Sequence, residues 1–137
     1  MIVVDTNVIA SLLLPGEHSD AAERALRRDR EWCGPLLWRS EFRNILATLG
    51  RRGAFNLDHA RDAMETAQEL MRGGEYEVRS EDVLDLAAAS GCSAYDCEFV
   101  ALARDLRVPL VTLDGAVLRA FGDVAVSLGR FAGGEEM

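Results

Sequence analysis

Lysine is absent from this 137-residue chain, and all 15 basic residues are arginines. That absence weighs against several kinds of phosphate chemistry. A receiver domain needs a lysine to neutralise its phosphoryl group. Haloacid-dehalogenase-like phosphatases and P-loop nucleotide enzymes also rely on one, and the sequence motifs of both are missing. Cysteine is scarce: Cys33, Cys92 and Cys97 are odd in number and have no CxxC spacing. They therefore give neither a disulfide framework nor a zinc site, and they fit small buried hydrophobes. The two histidines, His18 and His59, fall in a loop and at a helix start, so zinc lacks ligands. No apolar run approaches the roughly 18 residues of a membrane span. Met1-Ile2-Val3-Val4-Asp5 lacks the basic start and long apolar stretch of a signal peptide, so the expected compartment is cytoplasmic. No repeat, low-complexity tract or linker divides the chain. One domain over residues 1–132 is expected, followed by a disordered tail at 133–137.

Hydrophobic residues make up 49% of the sequence, enough to bury a core without staples. The net charge of −8 argues against a nucleic-acid partner, because phosphate is repelled by a negative surface. The objection lifts if several carboxylates share one site and divalent cations fill it. Arginine suits phosphate through its bidentate geometry, although genome base composition explains the arginine bias equally well.

Strand and helix signals alternate along the whole chain. Ile2-Val3-Val4 is a buried-strand run that stops at the capping residues Asp5-Thr6-Asn7. Helices are predicted at Val8 to Leu14, at Ser19 to about Arg30, and from Pro35 to about Leu49. Further helices are expected at Leu57 to Met71 behind Asn56, at Ser80 to Ala89, at Ser93 to about Leu106, and from Asp114-Gly115 to Phe121. Trp32-Cys33, Tyr76 to Val78, Val108 to Leu113 and Val124 to Val126 are the remaining strand candidates. The pattern predicts an α/β fold of three layers, α/β/α, with a central parallel sheet of about four to five strands.

In such sheets ligands bind beyond the carboxyl ends of the strands. Asp5 follows the first strand and Asp114 follows Leu110 to Leu113, each with the same grammar of apolar run, aspartate and helix start. Helix capping explains either aspartate alone. Asp96 lies in the first turn of a helix that returns from the same rim, but Ser93-Ala94-Tyr95-Asp96 also has capping-box spacing. Glu41 sits within a helix on a partly apolar face, one turn after Leu37. There it is costly unless paired or bound to a cation; reaching solvent, or an ion pair with Arg39 or Arg43, is the plain alternative. If the four acids converge, each pair about 5 Å apart costs roughly 3 kcal/mol at an effective dielectric of about 20. Protons or hard cations relieve that cost, and carboxylate oxygens suit Mg²⁺ or Mn²⁺.

These same residues resemble the PIN-domain ribonucleases. Asp5-Thr6-Asn7 is similar to their opening acid, and Ser40-Glu41-Phe42-Arg43 resembles the second acidic position. Tyr95 to Ala103 resembles the third, and Pro109 to Asp114, a strand ending in Thr-x-Asp, the fourth. Length and order resemble VapC-type toxins over nearly the whole chain. One departure is Gly115, which stands where the family often has a basic residue. The resemblance implies a metal-dependent endoribonuclease that cuts single-stranded RNA to 5′-phosphate and 3′-hydroxyl ends. Asp5, Glu41, Asp96 and Asp114 would then be the catalytic, metal-holding acids, with Thr6, Asn7 and Thr112 as hydrogen-bonders behind them. Arg39 and Arg43 would contact RNA. Implied partners are a cognate antitoxin and a second copy of the chain. Leu12, Leu13, Leu14, Trp32 and Trp38 offer apolar surface for that dimer, although ordinary core packing explains each of them. The alternatives from other classes are a Mg²⁺-binding receiver-like domain and an inactive PIN-fold interaction module.

Overall fold

A computed structural model describes residues 1–133. Its strands are β1 (Ile2–Val4), β2 (Trp32–Pro35), β3 (Glu75–Tyr76), β4 (Leu110–Thr112) and β5 (Ala125–Ser127). Its helices are α1 (Thr6–Leu13), α2 (Ser19–Arg28), α3 (Leu37–Arg51), α4 (Leu57–Leu70), α5 (Ser80–Ser90), α6 (Ala94–Leu106), α7 (Gly115–Ala120) and α8 (Leu128–Phe131). The sheet runs β3-β2-β1-β4-β5 with every pairing parallel.

This order explains the layers. The chain steps outward from β1 through β2 to β3, crosses back to β4 beside β1, and continues outward to β5. Right-handed crossovers therefore place the helices of the two halves on opposite faces. The contacts agree: α1 packs on α2 and α3, and α3 on α4, whereas α5 packs on α6, and α6 lies against β1, β2 and β4. The middle strands are covered twice, which is why Val3, Val4, Leu110 and Val111 are fully buried. Val8 and Ile9 of α1, Trp38 and Phe42 of α3, and Phe99, Val100 and Ala103 of α6 complete the core.

Several local expectations shift. Pro35 ends β2 and does not open α3. Gly34 N donates to Gly74 O and Leu36 N to Tyr76 O, so the alternation points the backbone nitrogen of residue 35 away from β3. The β1–β2 register is recorded only at Ile2↔Trp32 and Val3↔Cys33, before Pro35, so no donor is needed there. β3 falls at Glu75–Tyr76, earlier than expected, because only Gly34 and Pro35 of β2 pair with it. Its Glu75 is held by α3: the carboxylate accepts from Trp38 Nε1 at 2.9 Å and from Arg39 Nε and Nη2 at 2.6 and 2.7 Å. The Arg39 guanidinium keeps Glu75 below its usual pKa. Ser19 and Ser80 start their helices without acting as caps, whereas Asn56 and Ser93 do cap, accepting from His59 N and Asp96 N.

Trp32 and Trp38 are core residues, and Leu12, Leu13 and Leu14 pack against the core. The two tryptophans are therefore spent on the core, whereas the three leucines are only partly buried and keep some apolar surface exposed. Of the expected tail, Gly133 is described, at a φ of 83° after α8. Residues 134–137 lie outside the described residues. None of the described helices is long and apolar enough to cross a membrane.

The tightest backbone approach is at Gly74, where an added Cβ would fall on Trp32 O. Gly74→Ala is expected to destabilise the protein by about 1–3 kcal/mol, read as a lower urea midpoint with an unchanged slope. Gly16, which has nothing within 4 Å of a built Cβ, serves as the neutral control.

Candidate active site

The strand order reverses direction between β1 and β4, and this switch point opens a crevice at the carboxyl edge. Asp5 leaves β1 on one side of the crevice and Asp114 follows β4 on the other. Asp5 N donates to Val111 O at 2.9 Å, so the aspartate is anchored directly beside β4. Its Oδ1 accepts from Thr6 N at 2.7 Å, and its Oδ2 from the Thr112 hydroxyl at 2.7 Å. The Thr6 hydroxyl, on the first residue of α1, donates to Glu41 Oε1 of α3 at 2.7 Å. Thr112 Oγ1 also accepts from Asp114 N at 3.0 Å, and Asn7 Oδ1 accepts from Leu113 N at 3.3 Å. Short polar side chains thus tie the ends of β1 and β4 to each other and to α3.

The capping readings hold alongside the clustering. Asp5 caps α1, and Asp114 Oδ1 caps α7 by accepting from Ala116 N and Val117 N. A capping aspartate at the end of a parallel strand is already at the rim. Glu41 makes no ion pair with Arg39 or Arg43, since its partner is Thr6. Arg39 is committed to Glu75. Arg43 is exposed, donating to Arg39 O at 3.1 Å and to Ser40 Oγ at 3.3 Å, with no carboxylate partner among the described residues.

The electrostatics link the acids. Burial raises the Asp5 pKa from 3.8 to about 6; the Thr112 hydrogen bond opposes the shift, and the Glu41 and Asp96 charges add to it. Burial also raises Glu41, with Asp96 and Glu98 contributing, and raises Asp96, with Asp114 contributing. Asp5, Glu41 and Asp96 therefore each feel the charge of at least one other acid. Glu98 was not expected from the sequence. It lies on α6 two residues beyond Asp96, half-buried and raised by burial, with its charge acting on Glu41. Helical spacing hid it, because residues two apart face different ways.

All the acids offer hard oxygen donors, and mutual repulsion is what a divalent cation would relieve. Among the described residues, Glu41 Oε2 and Asp114 Oδ2 carry no hydrogen bond. No three acids, histidines or cysteines there already surround one point at ligand spacing, so closing on an ion requires side-chain rotation. The residues present fit a hard cation by their chemistry.

The PIN domain family profile matches residues 2–123. The chain belongs to the PIN-domain family. Ribonuclease VapC3 of Pyrobaculum aerophilum is 33% identical over 123 residues, covering 88% of this chain and 94% of that protein, which makes this a PIN domain of the VapC type. The crystal structure of PAE2754 from the same organism superposes with a TM-score of 0.74 at 20% identity, covering 96% of both chains. That likeness fixes the three-layer PIN fold, and family membership removes the receiver-like alternative.

A raised acid makes this PIN domain less stable as pH rises. Between 3.8 and about 6 the folded state holds a proton on Asp5 that the unfolded chain has lost. Stability therefore falls through that window and levels off above it. In metal-free buffer at pH 8, Asp5→Asn is expected to melt above wild type by up to about 3 kcal/mol equivalent, a gap that closes towards pH 4. A variant melting below wild type at pH 8 contradicts this assignment.

Proposed function

We propose that this PIN domain is a metal-dependent endoribonuclease, the toxin of a toxin–antitoxin pair, acting on single-stranded RNA. The observation that carries the reading is the group of coupled carboxylates at the β1–β4 crevice. A relative at 33% identity named as a ribonuclease supports it. Asp5, Asp96, Asp114 and Glu41 would hold Mg²⁺ or Mn²⁺. Held there, such an ion would supply a bound water of lowered pKa and positive charge against the scissile phosphate.

The chain's own residues do the rest. Thr112 and Thr6 fix Asp5 Oδ2 and Glu41 Oε1, which limits how far those two carboxylates turn when the acids close on an ion. Asn7 holds the start of α1 against the end of β4, which keeps Asp5 and Asp114 on the same crevice. Glu41 Oε2 and Asp114 Oδ2 carry no hydrogen bond among the described residues and would be available to the ion. Attack by water on phosphorus breaks the P–O3′ bond, leaving a 5′-phosphate and a 3′-hydroxyl. Arg43 is the nearby arginine free to meet the RNA backbone, since Arg39 is matched by Glu75. A cation in the crevice removes much of the local repulsion that a chain of net charge −8 would present to RNA. The proposed setting is cytoplasmic, with a cognate antitoxin covering the site and a second copy of the chain as dimer partner.

The test is cleavage of single-stranded RNA with Mg²⁺ or Mn²⁺, with end mapping. Wild type is expected to cut and to leave 5′-phosphates; chelation, Asp5→Asn or Asp96→Asn is expected to reduce cutting to background. Thr112→Val keeps all four acids and is expected to lose roughly 10- to 100-fold in metal affinity. Equal activity in wild type and Asp5→Asn refutes the mechanism. No cleavage by wild type with either metal leaves the inactive interaction module as the reading.

A further inference from the structure

A second pocket lies on the same rim as the acids. It occupies about 490 Å³ beyond the carboxyl ends of β2 and β3, with walls that include Leu36, Tyr76, Val78, Val83 and Leu84, and with Glu98 of α6 at its side. Leu36 follows β2, Val78 lies two residues past β3, and Val83 and Leu84 come from α5, so three separate segments converge on it. Leu36 is 47% exposed and Leu84 65%. A lone exposed leucine means little, but two directed into one polar-edged concavity form a surface that water covers poorly.

Glu98 connects this pocket to the acids. It lines the pocket and lies on α6, the helix that carries Asp96 and packs against β1 and β2, and its charge acts on Glu41. Neighbouring strands lie about 4.8 Å apart. An RNA strand with its scissile phosphate at the β1–β4 crevice and its next nucleotide towards β2 and β3 thus arrives at this pocket.

We infer that the pocket between Leu36, Tyr76 and Leu84 is a base-reading subsite that seats an unpaired guanine beside the scissile phosphate, its Watson–Crick edge on the Glu98 carboxylate. The inference rests on the ribonuclease reading above. Single-stranded RNA is read through splayed bases that stack on side chains and hydrogen-bond at their edges. The aliphatic and aromatic walls meet the base faces. A carboxylate offers only acceptors, so it selects an edge rich in donors. Guanine presents N1–H and the N2 amino group side by side, matching both oxygens of one carboxylate. Adenine and cytosine set one amino group beside an acceptor nitrogen, and uracil flanks its single N–H with carbonyls.

The experiment digests a randomised single-stranded RNA pool with the intact protein and metal, sequences the ends, and then measures kcat and KM on oligonucleotides carrying guanine, inosine, uracil or an abasic sugar at the preferred position. Wild type is expected to favour guanine over uracil or the abasic sugar by roughly 10-fold or more, with inosine between them. Leu84→Ala and Glu98→Gln are each expected to pull that ratio towards one, mainly through KM. Leu84 is exposed enough for the alanine to spare the core, and melting curves check the fold of both variants. Cleavage without base preference overturns the subsite while leaving the ribonuclease reading intact. A uniform loss of kcat on every substrate in Glu98→Gln also overturns it, because it places Glu98 among the metal-holding acids. An unchanged ratio in Leu84→Ala, with weakened antitoxin binding, assigns the pocket to the protein partner. Absence of any RNA cleavage by wild type removes both readings.

Discussion

Like charges drawn to one sheet edge repel, and in this protein the hydroxyls of Thr112 and Thr6 hold them in place. Each threonine bonds an acid from a different part of the chain: Thr112 on β4 bonds Asp5 after β1, and Thr6 on α1 bonds Glu41 on α3. The two bonds offset part of the burial cost of the acids, as the opposing influences on Asp5 and Glu41 show. They do not cancel that cost: burial first, and then the charges of Glu41 and Asp96, push Asp5 up to about 6. Such a site favours taking up a proton, or the hard cation proposed above, which an all-oxygen donor set suits.

The topology makes this arrangement possible at low structural cost. With β1 and β4 adjacent and parallel, any residue just past either strand lands at the same crevice. Aspartate serves twice there: it caps the helix that follows, and it contributes charge to the site. The capping and functional explanations of Asp5 and Asp114 therefore describe one geometry. A similar economy appears on α3, where Trp38 and Arg39 secure the edge strand through Glu75 while Glu41, two residues past Arg39, bonds Thr6 at the crevice.

Charge distribution also resolves the conflict between a net charge of −8 and a phosphate substrate. The acids at the crevice would no longer present a negative patch once the proposed cation is bound. Elsewhere arginines gather, as around the groove of about 1140 Å³ near the amino end of β4, lined in part by Arg28, Arg104, Arg107 and Arg130. That groove is the largest concavity among those described, yet it lies away from the acids, so size alone does not mark the chemistry.

The alternation of strands and helices was legible because two-sided burial demands apolar runs such as Ile2 to Val4, and because Asn56, Ser93 and Gly91 punctuate helices by local chemistry. Asp5 and Asp114 were legible for the same reason, since local grammar places them at strand ends. The place of Pro35 was not, because whether a missing N–H matters depends on which neighbouring strand it faces. Nor was the pairing of Arg39 with Glu75, which brings together residues 36 apart. Glu98 and its pocket escaped likewise: nothing in a helix's own spacing reveals what the loops after β2 and β3 set beside it. The sequence by itself determined most of the elements, the parallel character of the sheet and the two acids at strand ends, but not the strand order or the short helix α8, because propensity, capping and burial pattern act over a few residues. Only the tertiary structure decided which acids share a field, which arginine is already matched, and where an apolar pocket meets a carboxylate, because electrostatic and packing contacts depend on distance in space and not along the chain.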